Sequence, residues 1–281
     1  MIIKYKGGYT IIETMIFIMI TGMMFTMAVM VVSGRQKEIQ FSQGLRDVES
    51  KIKDYINDVS TGFFPSSTGL NCTLSSTTAS TSPTLTSSGG QGQGTSNDCI
   101  FVGKVLQFSP NIGGTVNDDK LMVHTLAGRK RNASGGFVTD LDQSNVVMVT
   151  PTSSNTGIPE LTEVYELKWG LKVTKVSQTS GATYGSVGIV SSFGQTSGSG
   201  FVSGAQTINS GAVDSTSLGQ DKDSATASVN GMTGLVRPAT GIVICLANSD
   251  DSRKASITIG SEGRDANIKL KIDDYEATIC G

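Results

Sequence analysis

The apolar and polar positions fall into three regimes along the chain. From residue 11 to residue 32, Ile, Met, Phe and Val dominate, and Glu13 is the one carboxylate. A run of ~20 apolar residues is long enough to cross a bilayer as a helix. An ionisable group at that depth costs roughly 2.5–3.5 kcal/mol, so its presence points to a use. From residue 35 to residue 59 the pattern changes. Phe41, Leu45, Val48, Ile52, Ile56 and Val59 recur at steps of three and four, the stripe of an amphipathic helix. Arg46, Asp47, Glu49, Lys51, Lys53, Asp54 and Asp58 form its solvated face, with Glu49 and Lys53 at i, i+4. Gly62 and Pro65 stop the helix. A continuous helix from residue 9 to residue 59 would measure about 75 Å. Its outer stripe needs a sheet to cover it.

The third regime is polar and then alternating. Residues 66–97 are rich in Ser, Thr and Gly, with Gly90, Gly92 and Gly94 alternating with Gln91 and Gln93. No GK[ST] and no preceding strand marks a phosphate loop, so the stretch reads as a flexible surface loop pinned at Cys72 and Cys99. Strands are predicted at residues 99–109, 121–126 and 146–149. Leu167, Trp169, Leu171 and Val173 alternate with Lys168, Gly170, Lys172 and Thr174, a half-buried strand. Residues 187–193 and 201–208 read as a Gly/Ser-rich ribbon, and residues 206–233 as irregular. Residues 242–246 form a buried run. Residues 255–259 and 266–272 flank Gly260-Ser261-Glu262-Gly263, a hairpin signal.

Composition narrows the class. Charged residues are 16% of the chain, Gly numbers 34, and hydrophobic residues still reach 37%. That balance suits an extracytoplasmic β-rich domain with long polar loops and does not describe global disorder. A net charge of -2 excludes a generally basic nucleic-acid binder. The cysteines are Cys72, Cys99, Cys245 and Cys280, with no CxxC pair and no zinc spacing. Outside the cytoplasm an even count favours disulfides, and three pairings are open. Cys72–Cys99, closing the polar loop, and Cys245–Cys280, tying the C-terminus to a strand, are the favoured ones; four reduced core cysteines are the alternative.

The residues around the glutamate read Gly8-Tyr9-Thr10-Ile11-Ile12-Glu13, behind Lys4 and Lys6. This resembles the cleavage and methylation motif of type IV prepilins and secretion-system pseudopilins. That family has a short basic leader ending in glycine, an aromatic residue, a few apolar residues and a glutamate at the fifth mature position. Tyr9 stands where phenylalanine is usual. The resemblance covers about the first fifty residues. It implies a leader at residues 1–8, a helix at residues 9–61 and an extracytoplasmic β-rich domain at residues 62–281. It implies that a prepilin peptidase cuts Gly8–Tyr9 and methylates the new amine of Tyr9. Glu13 of one subunit would then pair with the Tyr9 amine of its neighbour and set register, since a partner cation favours the charged carboxylate. The implied partners are other pilin subunits, an inner assembly platform and membrane lipid before assembly. The implied topology is a single pass with a cytoplasmic N-terminus, followed by residence in an extracellular filament. Family members often carry a helix-weakening glycine and proline near the span. Here Gly22 is present but no proline precedes Pro65, so Gly22 reads either as a melting point or as a place of close helix packing.

A second resemblance is looser. Cys245 on a strand, followed by a hairpin with Gly263-Arg264 at its turn, is similar to the C-terminal part of H-type pseudopilins and related minor pilins. The fold expected is therefore α+β, a long N-terminal helix packed on an antiparallel β-sheet domain. The function expected is structural, a pilin-like filament subunit that catalyses no reaction and needs no cofactor. The alternative is a DNA-binding or adhesive minor pilin, for which Arg129, Lys130 and Arg131 are the one dense basic cluster. No aromatic is interleaved there to stack bases. His124 is the one histidine, which leaves no histidine metal cluster and no supported Ser-His-Asp triad. Asn248, Asp250 and Asp251 are the best oxygen ligands for calcium, without EF-hand spacing.

Overall fold

A computed structural model describes residues 8, 10–62, 70–74, 83–91, 99–132, 134–138, 142–149, 162–178, 181–191, 208–213, 218–221, 241–260, 267–272 and 280. The chain forms two compact units, Met1–Gln43 and Gly44–Gly281. Helix α1, Ile11–Thr61, contributes to both. Its N-terminal part carries side chains exposed from residue 11 to residue 39. Its C-terminal part buries the predicted stripe. Leu45, Val48, Ile52, Ile56 and Val59 are all buried, joined by Tyr55, and Phe41 in the first unit is buried as well. The helix ends as its sequence directs. Gly62 takes the left-handed conformation, φ 68°, and its N–H reaches the Val59 carbonyl at 3.3 Å.

The second unit sets this helical stripe on antiparallel sheet. Strands β1 (Leu70–Leu74) and β2 (Pro83–Gln91) pair with each other. The largest sheet uses β3 (Cys99–Phe108), and β4 (Asn111–Ile112) with β5 (Thr115–Val116) forms a small ribbon after it. Next come β6 (Lys120–Arg129), β7 (Val147–Met148), β8 (Thr162–Glu166) and β9 (Leu171–Gln178). The chain continues through β10 (Ser186–Ser191), β11 (Ile208–Val213), β12 (Ile242–Asn248), β13 (Lys254–Ile259) and β14 (Ile268–Ile272). The six-stranded sheet runs β11-β10-β3-β6-β7, with β8 also on β6; the four-stranded sheet runs β14-β13-β12-β9.

Nearly every position of β6 and β10, and the C-terminal seven of β3, are buried. A strand buried at successive positions is covered on both faces, although Lys104, Gln107, His124 and Thr125 interrupt the apolar residues of β3 and β6. The helix covers one face, where Lys104 of β3 meets Asp58 of α1. On the other, Val105, Leu126, Val146, Met148 and Val190 pack into one cluster. The long-helix-on-sheet α+β architecture expected from the sequence is therefore present.

Three local readings change. Residues 66–97, read as loop, contain the β1–β2 pair; ladder pairing needs only backbone groups, and Pro83 stands at a strand's first residue, where its missing N–H does no harm. The alternation from Leu167 to Val173 is not one strand. Lys168 to Gly170 is a turn, and Trp169 points out at 54% exposed. The ribbon partner of β10 is β11, in register Ser186↔Val213 to Ser191↔Ile208. The hairpin of β13 and β14 pairs as expected, Ala255↔Ile272 to Ile259↔Ile268. Its tip, with Gly263 and Arg264, lies outside the described residues.

Candidate assembly surface

In the first unit the site is built at the start of α1. Thr10 stands just before the helix and Glu13 in its first turn. The Thr10 N–H and hydroxyl both donate to Glu13 Oε2 at 3.2 Å, and the Glu13 N–H donates to Thr10 Oγ1 at 3.4 Å. This reciprocal arrangement is a capping box, and it satisfies N–H groups that a helix start leaves without partners. The Thr-x-x-Glu spacing is legible in the sequence, and the reading of Glu13 as a register device passes over it. The carboxylate is exposed, so its second oxygen is open to a further donor. Gly8 is exposed, and Tyr9 lies outside the described residues.

The span itself offers apolar surface. Ile11, Ile12, Met15, Phe17, Ile18, Met19, Met23, Met24, Phe25 and Met30 are each more than half exposed. The helix is long and apolar enough to cross a membrane. Its hydroxyls turn back on their own backbone. Thr14 donates to the Ile11 carbonyl at 2.8 Å, Thr21 to Phe17 at 2.8 Å, Thr26 to Met23 at 2.8 Å and Ser33 to Met30 at 2.9 Å. The helix is continuous through Gly22 and Gly34, and a Cβ at Gly22 would meet nothing.

In the second unit, polar pairs fasten the helix to the sheet. Lys104 Nζ lies 2.6 Å from Asp58 Oδ2 and 5.0 Å from the Tyr55 ring centre; its side chain is only 6% exposed. The Tyr165 hydroxyl donates to Asp47 at 2.5 Å, and Lys168 approaches the same carboxylate oxygen at 3.1 Å. Lys51 reaches Glu163 at 3.8 Å and lies over the Tyr165 ring. Lys104, Glu163 and Tyr165 on the strands and Lys168 in the turn after β8 escaped the sequence reading as partners because each meets a residue far away along the chain. Gly44 escaped it too. A Cβ there would lie 2.6 Å from Leu171 Cδ1 and 3.2 Å from the Lys168 carbonyl oxygen.

The remaining predicted residues are dispersed. Arg129 is buried at 1% exposure, with its Nε donating to the Arg131 carbonyl at 2.5 Å. Arg131 donates to the Gly135 carbonyl at 2.9 Å and stacks on Phe137, while Lys130 is half-buried. Arg129 is buried where β6 ends and Arg131 beyond it is exposed, so the three cations do not share one exposed surface. Cys245 and Cys280 form a disulfide with Cα atoms 5.6 Å apart. Cys99 is disulfide-bonded; the side chain of Cys72, its expected partner, lies outside the described residues. His124 is fully buried, its Nε2 2.9 Å from Gln107 Oε1. Asn248 and Asp250 each turn their Oδ1 into the turn, accepting from the Arg253 N–H and from Ser252, and Asp251 pairs with Lys172 at 2.8 Å. Among the described residues no group of His, Cys, Asp and Glu is arranged to hold a metal.

The architecture is pilin-like in a general sense: one long N-terminal apolar helix and an antiparallel sheet domain carrying a disulfide. No known protein family, no curated protein and no solved structure matches the chain.

Proposed function

We propose that the protein is a pilin-like structural subunit of a type IV pilus or a secretion-type filament, processed by a prepilin peptidase at Gly8–Tyr9 and assembled through α1. The observation that carries this reading is the exposed apolar helix from residue 11 to residue 32, whose one carboxylate stands in its first turn. An exposed face of that size in a protein must meet lipid or other copies of itself. Glu13, exposed and only locally capped, keeps an oxygen for the methylated amine of a neighbour's Tyr9. In an apolar surround such a pair fixes register more than it adds stability. Before assembly the span resides in the membrane with the sheet domain on the extracytoplasmic side; afterwards copies of the span replace lipid. The assembly platform and the peptidase are the partners.

Mass spectrometry of the N-terminal peptide from membrane and sheared-surface fractions tests this. A chain beginning at methylated Tyr9, present in the sheared fraction, is the expected result. A chain beginning at Met1 in cells with an active prepilin peptidase would overturn it.

A further inference from the structure

Two triplets in the chain read Asn-x-Ser or Asn-x-Thr: Asn71-Cys72-Thr73 and Asn132-Ala133-Ser134. On a surface turn outside the cytoplasm such a triplet is an acceptor for N-linked sugar. Asn71 lies within β1, laddered opposite Thr86 of β2. Asn132 stands instead at the start of a turn.

That turn is held at its base. The Asn132 N–H donates to the Gly136 carbonyl at 2.8 Å, and the Gly135 N–H returns to the Asn132 carbonyl at 3.0 Å. Arg131 and Phe137 bridge the two flanks, with the guanidinium 4.8 Å from the ring centre. Next along, the Val138 N–H donates to the Lys130 carbonyl at 3.0 Å, and Val138 is buried. Above this base Ser134, Gly135 and Gly136 are exposed and Asn132 is half-buried.

The side chain of Asn132 is divided between two tasks. Its Oδ1 accepts the Ser134 N–H at 3.1 Å and the Gly136 N–H at 2.9 Å. An amide nitrogen cannot accept from an N–H, so these bonds fix which end is oxygen. Nδ2 donates to no acceptor among the described residues. An aspartate here would accept the same two N–H groups more strongly, so the turn does not explain an amide. Nor does it explain the Ser134 hydroxyl, since the turn uses only the N–H of that residue. What the turn leaves over is an amide nitrogen and, two residues on, a hydroxyl. These are the two groups that N-glycosyl transfer requires of its acceptor, the nitrogen to react and the hydroxyl to be recognised.

We propose that Asn132 is an N-glycosylation site, which receives an oligosaccharide from a lipid-pyrophosphate donor through an oligosaccharyl transferase. The bond formed joins Asn132 Nδ2 to the anomeric carbon of the first sugar. The bond broken joins that carbon to the pyrophosphate oxygen. The lipid pyrophosphate leaves, and the Nδ2 proton passes to a base of the transferase. This rests on the extracytoplasmic placement of the sheet domain given under Proposed function, the side on which donor and transferase meet their acceptor.

The test is mass spectrometry of peptides spanning residues 132–136, with electron-transfer fragmentation, from the chain isolated out of its native cells. Protease added to spheroplasts of the same cells reads the side on which the sheet domain lies. The expected result is digestion of the domain and a glycan mass localised to Asn132. That mass should be lost in Asn132→Asp, which keeps an acceptor for the turn, and in Ser134→Ala, which keeps Asn132 itself. It should be retained in Ser134→Thr. An unmodified Asn132 in a domain that the protease reaches overturns the site alone. So does a glycan localised to Ser134, or one on Asn132 that survives Ser134→Ala. A domain that the protease cannot reach in spheroplasts overturns both the placement and the site.

Discussion

Tyr165 of β8 donates its hydroxyl proton to Asp47 of α1 at 2.5 Å, closing a contact between residues 118 positions apart. That bond is the first reason the Asp47 carboxyl is held below its usual range; Lys168 and Lys51 add to it, against the opposing effect of burial. A depressed carboxylate contributes stability above its unfolded pKa of about 4 and loses it as pH falls through the folded value. Tyr165→Phe is expected to lower unfolding stability at pH 7 by about 1–2 kcal/mol. The loss should shrink below about pH 4, where Asp47 is protonated in the unfolded chain. Urea unfolding of the full chain in detergent at both pH values reads this; an equal loss at both would show that Tyr165 acts by packing alone.

The alkaline side carries the opposite sign. Burial, and next the Glu163 carboxylate, push the Tyr55 hydroxyl well above the ordinary tyrosine range; burial and then Asp47 do the same for Tyr165. An acid whose neutral form is favoured by folding contributes stability below its unfolded pKa of about 10, lost as pH rises beyond it. Ultraviolet titration should show Tyr55 and Tyr165 ionising late and together with loss of the native circular dichroism. Ionisation of all six tyrosines near their ordinary pKa, in a still folded chain, would contradict the burial.

At Gly44 the helix is asked to choose between propensity and space. Alanine would improve helix propensity by about 1 kcal/mol. Its Cβ would meet Leu171 Cδ1 at 2.6 Å, with the Lys168 backbone behind it at 3.2 Å. Overpacking of this kind costs about 1–3 kcal/mol. Gly44→Ala is therefore expected to lower the thermal midpoint, and Leu171→Val in the same chain to recover part of it.

The Cys245–Cys280 bridge closes a sequence separation of 35 residues. Cys280→Ser is expected to cost about 2–4 kcal/mol of unfolding stability. Reductant should lower the midpoint of the wild type further than that of the variant, which has already lost this bridge. Equal sensitivity of the two would mean that the bridge holds nothing that the β12 core does not already hold.

Glutamine can serve at the third position of a capping box as glutamate does. Glu13→Gln should therefore leave the helix start and membrane insertion intact. Under the assembly reading it should be processed at Gly8–Tyr9 and yet be lost from the sheared fraction. Recovery of the variant there at the wild-type level would remove the charge of Glu13 from the assembly argument.

How far the sequence reached can be judged residue by residue. The stripe from Leu45 to Val59 is legible because one helix face meets one sheet, so burial and periodicity coincide. The runs that became β3, β6 and β12 are legible because a strand covered on both faces is mostly apolar at successive positions. Lys104 was not, since a lysine inside such a run is explained only by Asp58, 46 positions away. Trp169 misled for a related reason. Its alternation with Leu167 and Leu171 has the period of a strand, and only the left-handed pair Trp169-Gly170 breaks it. At Arg129 to Arg131, adjacency in sequence suggested a shared surface, but Arg129 is buried where β6 ends and Arg131 beyond it is exposed.

The hydroxyls of Thr14, Thr21, Thr26 and Ser33 each end on a carbonyl of their own helix. The span is thus chemically closed: it brings no directional bond that a surrounding must answer. Such a rod can exchange one apolar neighbourhood for another with no hydrogen bond broken or made along its sides. What distinguishes one surrounding from another is then left to the carboxylate at its start, a single polar end on an otherwise indifferent cylinder.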